Sequence, residues 1–72
     1  MGPIVVALQE DYIELCKLLK IAGVADSTGQ GKHLVAAGEV TLDGLAESRK
    51  TAKIRPGQVV TCLGQRIKVV AA

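Results

Sequence analysis

The stretch from Asp26 to Gly44 constrains the fold most, because a helix start, a helix stop and a hairpin turn follow one another within it. Ser27 is a natural N-cap, since a serine hydroxyl accepts an orphan N–H of the first helical turn. Gln30 stands three residues on, where a side chain closes a capping box. Leu34 and Val35 face inward, and Gly38 supplies the stop. Val40-Thr41-Leu42 then alternates as a half-buried strand, and Asp43-Gly44 is a strong two-residue hairpin signal. Gly29 and Gly31 stand out, because each costs about 1 kcal/mol against alanine inside a helix. Either a neighbour packs against this backbone or an anion approaches the first-turn N–H groups. Close packing is the favoured account for Gly31, and Gly29 stays open.

The flanking segments complete an α+β pattern. Ile4 to Leu8 reads as a strand, with residues 1–3 frayed. Asp11 is placed to cap a first helix, with Glu14 as its capping-box partner. Tyr12, Leu15, Cys16, Leu19 and Ala22 recur at helical spacing and form a buried face, widened by Ile13, Leu18 and Ile21. Glu14, Lys17 and Lys20 mark the wet side, and Gly23 ends the helix. After the hairpin, Leu45-Ala46-Glu47 returns and residues 49–53 form a polar connection rich in cations. Arg55-Pro56-Gly57-Gln58 fits a type II turn. Val59 to Leu63 is a strand, Gly64-Gln65 turns the chain, and residues 66–70 alternate with Ile67 and Val69 inward. The expected fold is one α+β domain over 1–72, with two helices packed on a small curved antiparallel sheet of about four to five short strands.

Composition removes several classes of function. Cys16 and Cys62 lie far apart in apolar runs, so buried free thiols are expected, although a bridge stays open. No CxxC pair exists and His33 is the single histidine, which argues against a zinc site. No cofactor is expected. The apolar run at 4–8 is far shorter than the roughly 20 residues that span a bilayer. No secretory signal is recognisable, so a cytoplasmic protein without a membrane partner is expected. Tyr12 is the sole aromatic residue, which argues against reading single strands on a series of stacked rings. A hydrolase needs a nucleophile with a base, paired carboxylates or a metal. Ser27 serves as a cap, His33 has no orienting acid, and Asp43 belongs to a turn. Gly29-Gln30-Gly31-Lys32 lacks the spacing and preceding strand of a phosphate loop. An enzyme is not expected.

Charge is more informative. Residues 1–48 carry three basic against seven acidic residues, a net −4, while residues 49–72 carry six basic residues and no acid. An uninterrupted basic third is a candidate polyanion footprint, unless folding mixes the two signs. Lys32, Arg49, Lys50, Lys53 and Arg55 share one face if the hairpin folds back beside the second helix. Arginine suits bidentate phosphate contacts and lysine acts as a mobile point charge. With few aromatics, the expected target is structured RNA read by shape, phosphates and 2′-hydroxyls.

Leu15, Leu18, Leu19 and Gly23, then Ser27, Leu34-Val35-Ala36-Ala37-Gly38, Val40, Asp43-Gly44, Arg49-Lys50 and Gly57-Gln58-Val59-Val60 follow one another at a familiar spacing. This order resembles the RNA-binding domain of the ribosomal protein S-four type, the alpha-L RNA-binding motif. The run Glu14-Leu15-Cys16 and Leu18-Leu19-Lys20 is similar to a short, stand-alone bacterial subgroup of YbcJ type. The resemblance spans residues 15–60. It implies binding of ribosomal or transfer RNA without catalysis, and a ribosomal or RNA-processing protein as a further partner. The family pattern has arginine where Thr28 stands and alanine where Gly31 stands. The RNA-facing charge is therefore expected at Lys32 and the Arg49–Arg55 segment, with Thr28, Gln30 and His33 as lesser contacts. The competing expectation is a small protein-interaction module in a ribosome- or RNA-processing-associated complex.

Overall fold

The computed structural model describes residues 2–72. The expectation of fraying at Met1 lies outside them, and Gly2 and Pro3 are exposed and outside regular structure. The elements run β1 (Ile4–Leu8), β2 (Ile13–Glu14), α1 (Leu15–Ile21), α2 (Thr28–Ala36), β3 (Val40–Leu42), β4 (Leu45–Ala46), β5 (Lys53–Ile54), β6 (Val59–Cys62) and β7 (Gln65–Ala71). Five strands form one sheet in the order β1-β7-β6-β3-β4, and β2 pairs with β5 in a separate ribbon. The expected fold class stands: two helices with a small sheet. The β3-β4, β3-β6 and β6-β7 ladders are antiparallel, while β1 adds to β7 in parallel and makes the sheet mixed. A parallel partner leaves no hairpin signal, because the two strands lie at opposite ends of the chain.

The helix ends follow the residues assigned to them. Ser27 Oγ accepts the Gln30 N–H at 3.1 Å. The Gln30 side chain reaches back past the cap to the Asp26 N–H, 2.6 Å from its Oε1. Both helices stop in a Schellman motif. Val24 N–H donates to Leu19 and Gly23 N–H to Lys20, and Glu39 N–H donates to Leu34 and Gly38 N–H to Val35. Gly23 and Gly38 sit at φ +80° and +79°, in the left-handed region that such a stop requires.

The start of α1 departs from expectation. Asp11 does not cap it; the N-cap is Glu14, whose side chain makes no capping bond. The first N–H groups go instead to a distant segment: Leu15 N–H to the Ala52 carbonyl at 2.9 Å, and Cys16 N–H to the Lys50 carbonyl at 3.1 Å. Ile13 and Glu14 are thereby drawn into β2, opposite Ile54 and Lys53 of β5. The helix loses its predicted first turn, and with it the burial of Tyr12, which is 39% exposed. Ile21 also points out, at 61% exposed, because α1 is covered on fewer sides than its apolar residues suggested.

Two hairpin turns connect the sheet. Asp43 and Gly44 take φ 50° and 85°, as the expected two-residue turn requires. Asp43 also extends the ladder beyond its own strand: its N–H donates to the Val59 carbonyl at 2.8 Å and its Oδ1 accepts the Val59 N–H at 2.9 Å. The second hairpin turns at Leu63-Gly64 rather than Gly64-Gln65, because Cys62 pairs with Gln65. Leu63 is therefore held at φ 51°. The type II turn at Arg55–Gln58 forms, with Gly57 at φ 96° and Gln58 N–H donating to Arg55.

The core is continuous across helices and sheet. Leu15, Leu18, Leu19, Val35, Val40, Ile54, Val60, Ile67 and Val69 are fully buried in one cluster. Cys16 and Cys62 are free thiols, both buried. Burial, helped by the Glu39 carboxylate, pushes the Cys62 thiol pKa up, which makes it inert.

Candidate nucleic-acid interface

The cation-rich connection is tied to the helical pair through one residue, Cys16. Its N–H binds the Lys50 carbonyl, so the basic segment's backbone is docked on the N-terminal end of α1. On the other side, Gly31 of α2 lies against it. A Cβ built at Gly31 would stand 2.6 Å from the Cys16 carbonyl oxygen and 3.2 Å from its Cα. Close packing therefore explains Gly31, and the helices approach more closely than alanine there would allow. Gly29 is different: its nearest neighbour beyond the helix is Ser27 Oγ at 3.8 Å, and it is exposed.

The candidate side chains fall into three settings. On α2, Lys32 and His33 are exposed, while Thr28 is half-buried at the first helical position. Gln30 is exposed, but its carbonyl is committed to the cap. After the hairpin, Arg49 forms a fork with Glu47: Nη2 to Oε1 at 3.1 Å and Nε to Oε2 at 3.2 Å, with its own N–H on Oε2 at 2.9 Å. The Arg49 guanidinium and N–H hold the Glu47 carboxyl below the usual carboxylate range, and Glu47 in turn raises Arg49. Folding thus mixes the two signs at this one basic position. Lys50 is exposed next to it.

The third setting is the β2–β5 ribbon. Ile13 and Ile54 face the core, so the residues one step away on each strand share the opposite face. Lys53 Nζ lies over the Tyr12 ring, 5.0 Å from its centroid, and Arg55 Cζ lies 6.0 Å from it. Such contacts attract a cation to the negative face of the ring. Lys53 and Arg55 stay exposed while making them. Glu14, on the same face, is paired with Lys17 at 3.2 Å. Arg49, Thr51, Ala52 and Lys53 line a shallow depression beside this ribbon.

Tyr12 had no place among the residues expected at the interface, because helical spacing assigned it to the core. The alternation Lys53-Ile54-Arg55 is the signal that reveals the ribbon: polar, apolar, polar, a minimal strand pattern inside a segment otherwise read as loop. Lys32, Lys50, Lys53 and Arg55 stand outside the ion pairs of the described residues, which join Lys17 to Glu14 and Arg49 to Glu47.

Known proteins resemble this chain over most of its length. A family model for the S4 domain matches residues 6–70. YbcJ from Escherichia coli (strain K12) is 45% identical over 60 residues, which cover 83% of this chain and 86% of that protein. YbcJ from Shigella flexneri matches to the same extent. The solution structure of E. coli YbcJ, described as an alpha-L motif involved in RNA-binding, superposes with a TM-score of 0.70. That alignment has 39% identity and covers 99% of this chain and 89% of the other. The 30S ribosomal protein S4e from Thermoplasma acidophilum shares the fold at a TM-score of 0.66 and 17% identity, over 79% of this chain and 30% of its own.

Proposed function

Because the chain belongs to the S4 domain family, we propose that it is a non-catalytic protein of the cytoplasm that binds structured RNA, of the ribosomal or transfer RNA class. The observation that carries this reading is the convergence on Cys16. The Lys50 backbone is bonded to one side of that residue and Gly31 rests on the other, so Lys32 and the Arg49–Arg55 segment are held around the same corner of α1. Lys32, Lys50, Lys53 and Arg55 are exposed and outside the ion pairs, so their charge is available to phosphates. Arg49 contributes by exchanging its Glu47 fork for a phosphate, which it binds in the same bidentate geometry. Thr28, Gln30 and His33 lie along the same helix and serve as hydrogen-bonding neighbours.

A folded RNA offers phosphates, 2′-hydroxyls and shape to such a surface, and needs no row of stacking rings. The RNA-binding motif of YbcJ, on a closely similar fold, supports the assignment. Three groups that could attack a substrate are otherwise engaged: Ser27 Oγ caps α2, and both thiols are buried.

The test is binding of a ribosomal RNA fragment across a series of salt concentrations. Replacing Arg49, Lys50 and Lys53 by alanine is expected to weaken binding to all sequences. The slope of log K against log salt should fall by about 0.7–0.9 for each phosphate that the protein no longer neutralises. Unchanged affinity and slope would place the RNA surface elsewhere.

A further inference from the structure

We infer that Tyr12, with Lys53 and Arg55, forms a subsite for one unpaired nucleotide: the base stacks on the phenol ring and the two cations take its flanking phosphates. This rests on the RNA-binding reading and adds to it a feature that a purely phosphate-directed surface would lack. Three observations lead there. The only aromatic side chain of the protein is 39% exposed rather than buried. It sits on the ribbon face shared with Lys53 and Arg55, both within contact of its ring. Tyr12 also lines a surface depression of about 590 Å³, with Glu10, Asp11, Glu14, Lys17 and Ile21 among its walls.

The sorting of charge around the ring selects the ligand. Glu10 and Asp11 repel a phosphate, so the depression does not continue the phosphate track. Carboxylates do accept hydrogen bonds from the amino and imino groups on a base edge. A flipped base with its edge toward Glu10 and Asp11, and its sugar-phosphate toward Lys53 and Arg55, satisfies both signs at once. The cations over the ring are no obstacle. Each of the two exposed cation–aromatic contacts is worth about twofold to fivefold in an equilibrium, a loss the cations recover at the phosphates, while a base stacked on an aromatic side chain adds about fivefold or more. The base displaces the cations from the ring toward the phosphates it brings with it. Guanine, with adjacent N1–H and N2–H donors, fits the acidic wall best.

The experiment compares two synthetic RNA hairpins of equal length, one fully paired and one carrying a single unpaired guanosine. The protein is the wild type, Tyr12→Leu or Tyr12→Phe. The wild type is expected to prefer the bulged hairpin by about fivefold, and Tyr12→Phe to keep that preference. Tyr12→Leu should abolish the preference, so that the bulged and paired hairpins bind equally. The protein has a single tyrosine, so the Tyr12 ring protons, once told apart from those of the His33 imidazole, report directly, and stacking should move them upfield only with the bulged hairpin. If both hairpins bind equally to the wild type, or the ring resonances stay in place, the subsite is refuted while the RNA-binding reading stands. If neither hairpin binds, the RNA-binding reading falls, and the subsite with it.

Discussion

Replacing Gly31 by alanine should destabilise the protein, although alanine is the better helix former. Intrinsic propensity favours the substitution by about 1 kcal/mol. Against it stands the approach at 2.6 Å between the new Cβ and the Cys16 carbonyl oxygen, with Cys16 Cα and carbonyl carbon at 3.2 and 3.3 Å. These are backbone atoms of a buried residue, so no side chain can swing away. Overpacking of this kind costs about 1–3 kcal/mol. The rigidity of the partner places it in the upper half of that range, for a net loss of about 1–2 kcal/mol. For a domain this small, that lowers Tm by roughly 5–15 °C. The matched control is Gly29→Ala, where the nearest atom is at 3.8 Å. It should stabilise by up to about 1 kcal/mol. Thermal and urea denaturation of both variants checks the pair. Amide exchange adds a spatial readout: Cys16 N–H, bonded to Lys50, should lose protection in Gly31→Ala. A Gly31→Ala protein as stable as the wild type would refute the helix spacing, and with it the physical link between α2 and the basic segment.

Two further outcomes follow from the turns and the surface ion pair. Leu63→Asn should stabilise by about 0.5–1 kcal/mol, read as a higher Tm, because asparagine tolerates the left-handed conformation now forced on an exposed leucine and restores a favoured Asn-Gly turn. Glu47 has a folded pKa below its ordinary 4.5, set first by the Arg49 side-chain hydrogen bond. Its stabilising contribution is therefore present above pH 4.5 and lost as pH falls through the lowered value. Glu47→Gln should flatten the stability–pH curve below pH 4.5, and added salt should shrink the difference because the Arg49 side of the pair is exposed.

The candidate interface divides along the same line as the fold. Lys32, Lys50, Lys53 and Arg55 were recognisable as surface cations from charge and position alone. Their grouping was not, because it depends on hydrogen bonds between Cys16 and Lys50 and between Leu15 and Ala52, pairs far apart in the chain. Arg49 shows the opposite effect. Its place in an acid-free third suggested a free cation, and the glutamate just before it closes a fork on it.

Local chemistry was enough for the elements whose hydrogen bonds close within a few residues. Ser27 and Gln30, the two glycine stops and the Asp43-Gly44 turn carry their own partners, so their conformations are written in short stretches of chain. The combined spacing of these signals also sufficed to identify the family. Tertiary structure decided what short stretches cannot encode. The carbonyls of Lys50 and Ala52 took over the first N–H groups of α1, which removed its expected first turn and made β2 a partner of β5. The parallel pairing of β1 with β7 joined the two ends of the chain. Tyr12 went to the surface for the same reason. A buried helical residue by periodicity, it became an exposed ring between two cations once a distant segment offered better hydrogen bonds to the residues beside it.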